Sequence, residues 1–146
     1  MAVIAIMLSV NFVACSDDDE DLDVAQLEGT WGLTNDEGYE IYEGERDSWN
    51  DKYDPSNPTA DCEKMVIAKI ADNTYSVTHY DYYNNQWNLS ETEKFTLDGN
   101  NLIPVDGDTE FSSVKLLVAN SSQLVIEQKG TDEDGEYYNK KTYKRM

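Results

Sequence analysis

The chain is short of cations, thiols and imidazole. Its 146 residues carry 11 lysines and arginines against 30 aspartates and glutamates, a net charge of −19. A phosphate backbone requires clustered basic side chains, so a nucleic-acid partner is excluded. One histidine and two cysteines are too few for a cysteine-rich zinc framework or a disulfide scaffold. A thiol nucleophile would have only His79 as its base. There is no Gly-x-Ser-x-Gly elbow, no Walker loop and no dinucleotide fingerprint. Short connections leave little wall for a substrate cleft. No catalytic residue, cofactor or metal is therefore assigned, and the protein is not read as an enzyme. Aromatic residues, at 11%, are too frequent for a disordered acidic chain.

Charge is also missing from one place in particular. Residues 1–14 hold none, and all basic and acidic residues follow Cys15. The apolar run is too short to span a bilayer, which needs about 20 apolar residues. It has the length of a signal-peptide core ending in a small residue. Phe12-Val13-Ala14-Cys15 resembles a bacterial lipobox, with Phe12 where leucine is usual and no basic residues ahead of it. Residues 1–14 are therefore read as a lipoprotein signal peptide. Residues 15–26 are read as the lipidated Cys15 with an acidic linker, and 27–146 as the folded domain. Acyl chains contribute about 0.8 kcal/mol per buried methylene, so the anchor alone holds a soluble domain on a membrane. The run Ser16-Asp17-Asp18-Asp19-Glu20-Asp21 is a self-repelling tether. It also resembles the acidic export signal of surface lipoproteins in some Gram-negative gut anaerobes. The expected location is the outer membrane, on its exposed face. Cys62, without an intramolecular partner once Cys15 is acylated, reads as a buried small residue.

From residue 29 onward, turn residues punctuate short runs of β-formers. Candidate strands fall near 29–34, 39–43, 64–70, 75–83, 86–97, 102–105, 111–119, 123–129 and 136–145, with a polar loop over 44–62. Asn35-Asp36-Glu37-Gly38, Asn84-Asn85 and Asp98-Gly99 read as turns, because asparagine and glycine tolerate positive φ. No apolar stripe of helical period follows residue 28, although a short helical turn fits within 18–27 or 44–62. The fold class is all-β: an antiparallel up-and-down meander of about eight to nine strands. A meander removes its exposed edges by closing into a barrel. Two-residue alternation places Trp31, Leu33, Tyr75, Val77, Phe95, Leu97, Val114, Leu116, Val118, Leu124 and Ile126 on the inner face.

Leu27-Glu28-Gly29-Thr30-Trp31 carries a resemblance. Gly-x-Trp at the start of the first strand resembles the lipocalin signature. With the lipobox and acidic linker, the chain is similar to small lipocalin-like lipoproteins of Gram-negative gut anaerobes. That resemblance implies a lipocalin-like (calycin) barrel in which Trp31 closes the floor beside Gly29. It implies a late basic residue, Arg145 or secondarily Lys144, packed across the indole; such a contact is worth about 0.5–2 kcal/mol.

Tyr80, Tyr82 and Trp87 lie in the densest aromatic and polar stretch, 75–87. They are the candidate lining of a ligand pocket; the same residues also suit an amphipathic strand at a barrel mouth. His79 shares a strand face with Tyr75, Val77 and Asp81. It reads as a solvated or hydrogen-bonded histidine, with a base or metal ligand as the sharper alternative. The acidic stretches 106–110 and 132–136 have calcium-like oxygen density, but position twelve counted from Asp132 is Tyr143 rather than an acid, so both read as turns. The leading expectation is a monomeric, lipid-anchored barrel that binds a small apolar or amphipathic molecule. The alternatives are a surface module for a glycan or partner protein, and a structural accessory subunit with a solid barrel.

Overall fold

The computed structural model describes residues 22–106, 111–131, 133 and 135–146. The expected leader, Cys15 and the acidic run to residue 21 lie outside the described residues, as do parts of both calcium-like turns. A single 3-10 turn, Val24–Gln26, precedes nine strands. These are β1 (Gly29–Tyr42), β2 (Glu45–Lys52), β3 (Glu63–Ala71), β4 (Thr74–Tyr83) and β5 (Gln86–Asp98). They continue with β6 (Asn101–Pro104), β7 (Ser113–Ala119), β8 (Gln123–Thr131) and β9 (Gly135–Arg145). Every ladder is antiparallel, and β9 returns to pair with β1. Eight strands, β1 and β3–β9, thus close a barrel, and β2 stands outside the ring as a ninth.

The hairpins follow from turn chemistry. Asn84 and Asn85 have φ of 53° and 60°. Two successive left-handed residues match the right-handed twist of the flanking strands, and asparagine adopts them at low cost. The β4–β5 ladder is accordingly one of the longest in the fold, running from Thr74↔Thr96 to Tyr83↔Gln86.

Two segments differ from the sequence expectation. Residues 35–38 do not turn; β1 continues through them to Tyr42. A bulge between Leu33 and Asn35 stands where the change of direction was expected. The extra residue, Thr34, is satisfied on both sides: its hydroxyl donates to the Thr142 carbonyl at 3.0 Å and its carbonyl accepts from Tyr53 N–H at 3.0 Å. The bulge bends β1, as bulges do. Below it, Gly29–Gly32 pair with β3; above it, Asn35–Tyr42 pair with β2. The second difference is β2 itself, Glu-Arg-Asp-Ser-Trp-Asn-Asp-Lys, which lies inside the stretch expected to be loop. Only Trp49 in it is even half-buried, so the strand has almost no apolar signature.

The core occupies the floor of the barrel. Trp31, Leu33, Met65, Leu116 and Leu124 are essentially inaccessible, with Leu27, Ile67, Tyr75, Leu97 and Tyr143 packed around them. The inward alternation holds for most of the expected positions. It fails at Val118, because a second bulge between Leu116 and Val118 shifts the pattern and buries Ala119 instead. Cys62 is a free, buried thiol whose sulfur accepts from the Thr59 N–H at 3.4 Å.

Candidate functional site

The floor is built around Trp31. Its indole N–H donates to the Leu27 carbonyl at 2.9 Å, which ties the strand to the 3-10 turn. The Arg145 guanidinium lies 4.3 Å from the indole ring centre. Arg145 in turn donates to the carbonyls of Ser121 (3.0 Å), Glu28 (2.9 Å) and Gln26. Gly29, at φ 143°, leaves the space the guanidinium occupies; a Cβ there would run into the Arg145 side chain. Gly29, Trp31 and Arg145 therefore stand together as one closed end. Lys144 points elsewhere, toward Ser56 at 2.8 Å and Asp54 at 3.4 Å.

Above the floor lies a partly open cavity of about 80 Å³. Its lower walls are apolar: Met65, Ile67, Val77, Phe95, Leu102 and Leu116. Its upper wall is polar, with His79, Glu93, Gln128, Lys141 and Tyr143.

The bulge in β1 explains part of that polarity. It shifts the inner face from Trp31 and Leu33 to Asp36, which sits opposite Lys141. Lys141 lies 3.0 Å from Glu63 and 3.7 Å from Asp36. Asp36 also accepts from the Trp49 indole N–H at 2.7 Å and from the buried Asn139 amide. Burial opposes the charge on Lys141. Tyr143, Glu63 and Asp36 around it outweigh that effect and hold its proton above the ordinary lysine range. Tyr143 is fully buried, and desolvation pushes its phenol well above the ordinary tyrosine value of 10.0. A group whose folded pKa is raised stabilises the fold fully below its unfolded pKa, and that contribution is lost as pH rises beyond it. Stability in urea is therefore expected to fall above pH 10, and Tyr143→Phe is expected to flatten that fall while leaving the neutral-pH value within about 1 kcal/mol. An unchanged alkaline slope in the variant would show that Tyr143 is not the group responsible.

The aromatic residues divide between the two faces. Tyr80, Tyr82 and Trp87 are brought together, Tyr82 and Trp87 edge to face at 5.1 Å. Lys64 lies 5.2 Å from the Tyr80 ring centre and 4.7 Å from that of Trp87. By strand alternation this patch is on the outside of the barrel, opposite to the face that carries Val77 and His79. None of the three borders the interior cavity. The inner aromatic row is a different set: Tyr137 packs against Trp49 at 5.8 Å and Phe111 at 5.6 Å. Sequence reasoning missed it, because Trp49 lay in a presumed loop. Its pairing with Gly38 is the one signal that could have found it, since only a glycine leaves room for the indole there.

Among the described residues, the wall is interrupted on one side. β6 has four residues and ends at Pro104, which supplies no N–H to extend the ladder. It meets β7 through a single residue pair, Asn101↔Lys115, and β5 pairs with it only over Phe95–Asp98. Beside the upper half of β5 opens a cleft of about 740 Å³, bordered by Glu91, Lys94, Pro104, Asp106 and Phe111. Glu93, Phe95, Val114 and Gln128 line both this cleft and the interior cavity. These four residues stand between the cleft and the apolar interior. What the arrangement offers chemically is an apolar chamber with a polar, partly charged rim.

Comparison with known proteins fits this geometry. The family model described as "Lipocalin-like domain" matches residues 27–126. No curated protein matches the sequence significantly. Among solved structures, the siderocalin Ex-FABP, described as functioning through dual ligand specificities, aligns with a TM-score of 0.53 at 11% identity. That alignment covers 83% of this chain and 74% of the siderocalin. Siderocalin Q83, described as having a dual ligand binding mode, aligns at 0.52 and 11% identity. There the coverage is 84% of this chain and 71% of the other.

Proposed function

The chain belongs to the Lipocalin-like domain family, and on that footing we propose that it is a lipid-anchored envelope protein that carries a small amphipathic molecule in its barrel without chemical change. One observation carries the binding part of this reading: the interior cavity and the side cleft share a lining through the interrupted wall between β5 and β7. The ligand, in this reading, lies in the cleft and sends one apolar segment past Phe95 and Val114, which line both spaces, into the chamber. Burial of that segment contributes about 25 cal/mol per Å² of apolar surface, and the polar rim receives the hydrophilic end. The two siderocalins, whose descriptions speak of two ligands or two modes, support a small-molecule role for this barrel shape. The lipobox-like 12–15 segment and its acidic neighbour support the anchor and the envelope location.

Native mass spectrometry of the domain beginning at Leu22, produced in a Gram-negative host, tests the carrier reading. The expected result is an adduct of a few hundred daltons that disappears on denaturation and is lost in Val114→Trp, whose indole would block the shared passage. An adduct that survives Val114→Trp unchanged would place the ligand elsewhere. Anchoring is tested separately: metabolic labelling with a fatty acid should label the full chain and not Cys15→Ser.

A further inference from the structure

We propose that His79, Glu91 and Glu93 form a binding site for one divalent transition-metal ion, zinc by preference, at the side entrance of the barrel. His79 on β4 and Glu91 on β5 are direct cross-strand partners. Glu93 lies two residues along β5, so strand alternation puts it on the same face. One imidazole nitrogen and two carboxylate oxygens thereby converge, all within 4.8 Å of one another. The bulge that skips Ser90 lies just beyond this pair and fixes the register at which it forms.

Two further observations point to a cation. The first is the state of His79 Nε2. This atom is shielded from solvent and makes no hydrogen bond, yet it lies 3.3 Å from Glu93 Oε2. The angles are not those of a hydrogen bond, but the distance is that of two ligands on one ion: donors about 2.0–2.1 Å from a tetrahedral zinc lie about 3.4 Å apart. The second is charge. Among the described residues no lysine or arginine forms an ion pair with Glu91 or Glu93, whereas Glu37, Glu63 and Glu127 each have a lysine partner. Glu91 is exposed, and rotation of its side chain closes the remaining gap. The imidazole decides the class of metal: a nitrogen with two carboxylates favours zinc and its neighbours over calcium or magnesium, which take oxygen alone. Three protein ligands leave a fourth position open, and Glu93 lines both chamber and cleft.

Calorimetric titration of zinc chloride into the full chain, with calcium in excess, tests the site. The expected result is one zinc ion per chain, together with a zinc-dependent rise in the thermal unfolding midpoint. His79→Gln should abolish both effects. Glu91→Gln and Glu93→Gln should weaken binding by about tenfold or more; both side chains are exposed, so these variants keep the proposal testable if His79→Gln disturbs the fold. Zinc binding that persists in His79→Gln, or that calcium displaces, would assign the metal to the acidic surface or the thiols and overturn the proposal. Unaltered affinity in both glutamine variants would do the same.

Discussion

Trp31→Ala is expected to destabilise the barrel by about 3–5 kcal/mol, the range for removing a large aromatic side chain from a packed core. Trp31 is completely inaccessible to solvent. Its loss would remove the indole contacts with the floor and the N–H bond to the Leu27 carbonyl, and would leave the Arg145 guanidinium over a void. Arg145 would keep its three carbonyl partners, so the 3-10 turn should remain docked while the floor beneath it loosens. Trp31→Phe, which restores most of the ring but no N–H donor, should recover about half of the loss. Urea unfolding followed by far-ultraviolet circular dichroism measures both. A Trp31→Ala midpoint equal to the parent's would mean that the closed end does not depend on this residue.

Lys141→Met should cost about 2–4 kcal/mol at neutral pH. Removing the cation from this half-buried cluster leaves its anions uncompensated, which costs about 3–5 kcal/mol in a fully buried pair. The lower figure here reflects the partial exposure of Lys141, Asp36 and above all Glu63. Asp36 is the more enclosed of the two acids, and it would still accept from Trp49 and Asn139. Adding Glu63→Gln to Lys141→Met should recover part of the loss, because the double variant removes one of the stranded charges; this coupling is what a double-mutant cycle measures. The deficit should also shrink as pH falls and the carboxylates take up protons. A pH-independent deficit with no coupling between the two positions would mean that packing of the lysine stem, rather than its charge, is what the cluster needs.

The architecture was legible because its signals are local. Asn84-Asn85 specifies a tight hairpin wherever it stands, and the alternation of Trp31 with Leu33 or of Tyr75 with Val77 marks an inner face without knowledge of the partner strand. What was not legible depends on register. Each bulge inserts one residue and exchanges inside for outside beyond it, so Asp36 faces the interior and Val118 gives way to Ala119. No pattern in the single sequence announces those insertions. β2 was invisible for a different reason. It takes its place from backbone pairing with β1 and one cross-strand partner, Trp49 over Gly38, so its side chains carry no apolar record of being a strand. His79 was singled out on its strand face, but Glu91 and Glu93 came within its reach only through the β4–β5 register.

The ladder between β1 and β9 also sets the order in which the fold can assemble. Every other barrel ladder except the short β1–β3 contact joins neighbours in sequence and can form as soon as both strands exist. The β1–β9 ladder is the most extensive, and it joins the ends of the domain; Arg145 binds the Glu28 carbonyl across 117 positions. The entropy of closing so long a loop must be met before that ladder returns anything, and such topologies fold slowly. Until β9 arrives, one edge of β1 is open along its length and the Trp31 floor has no guanidinium across it. In a nascent or translocating chain this interval is the one most exposed to misassociation, and a chaperone that sheltered the first strand would act there.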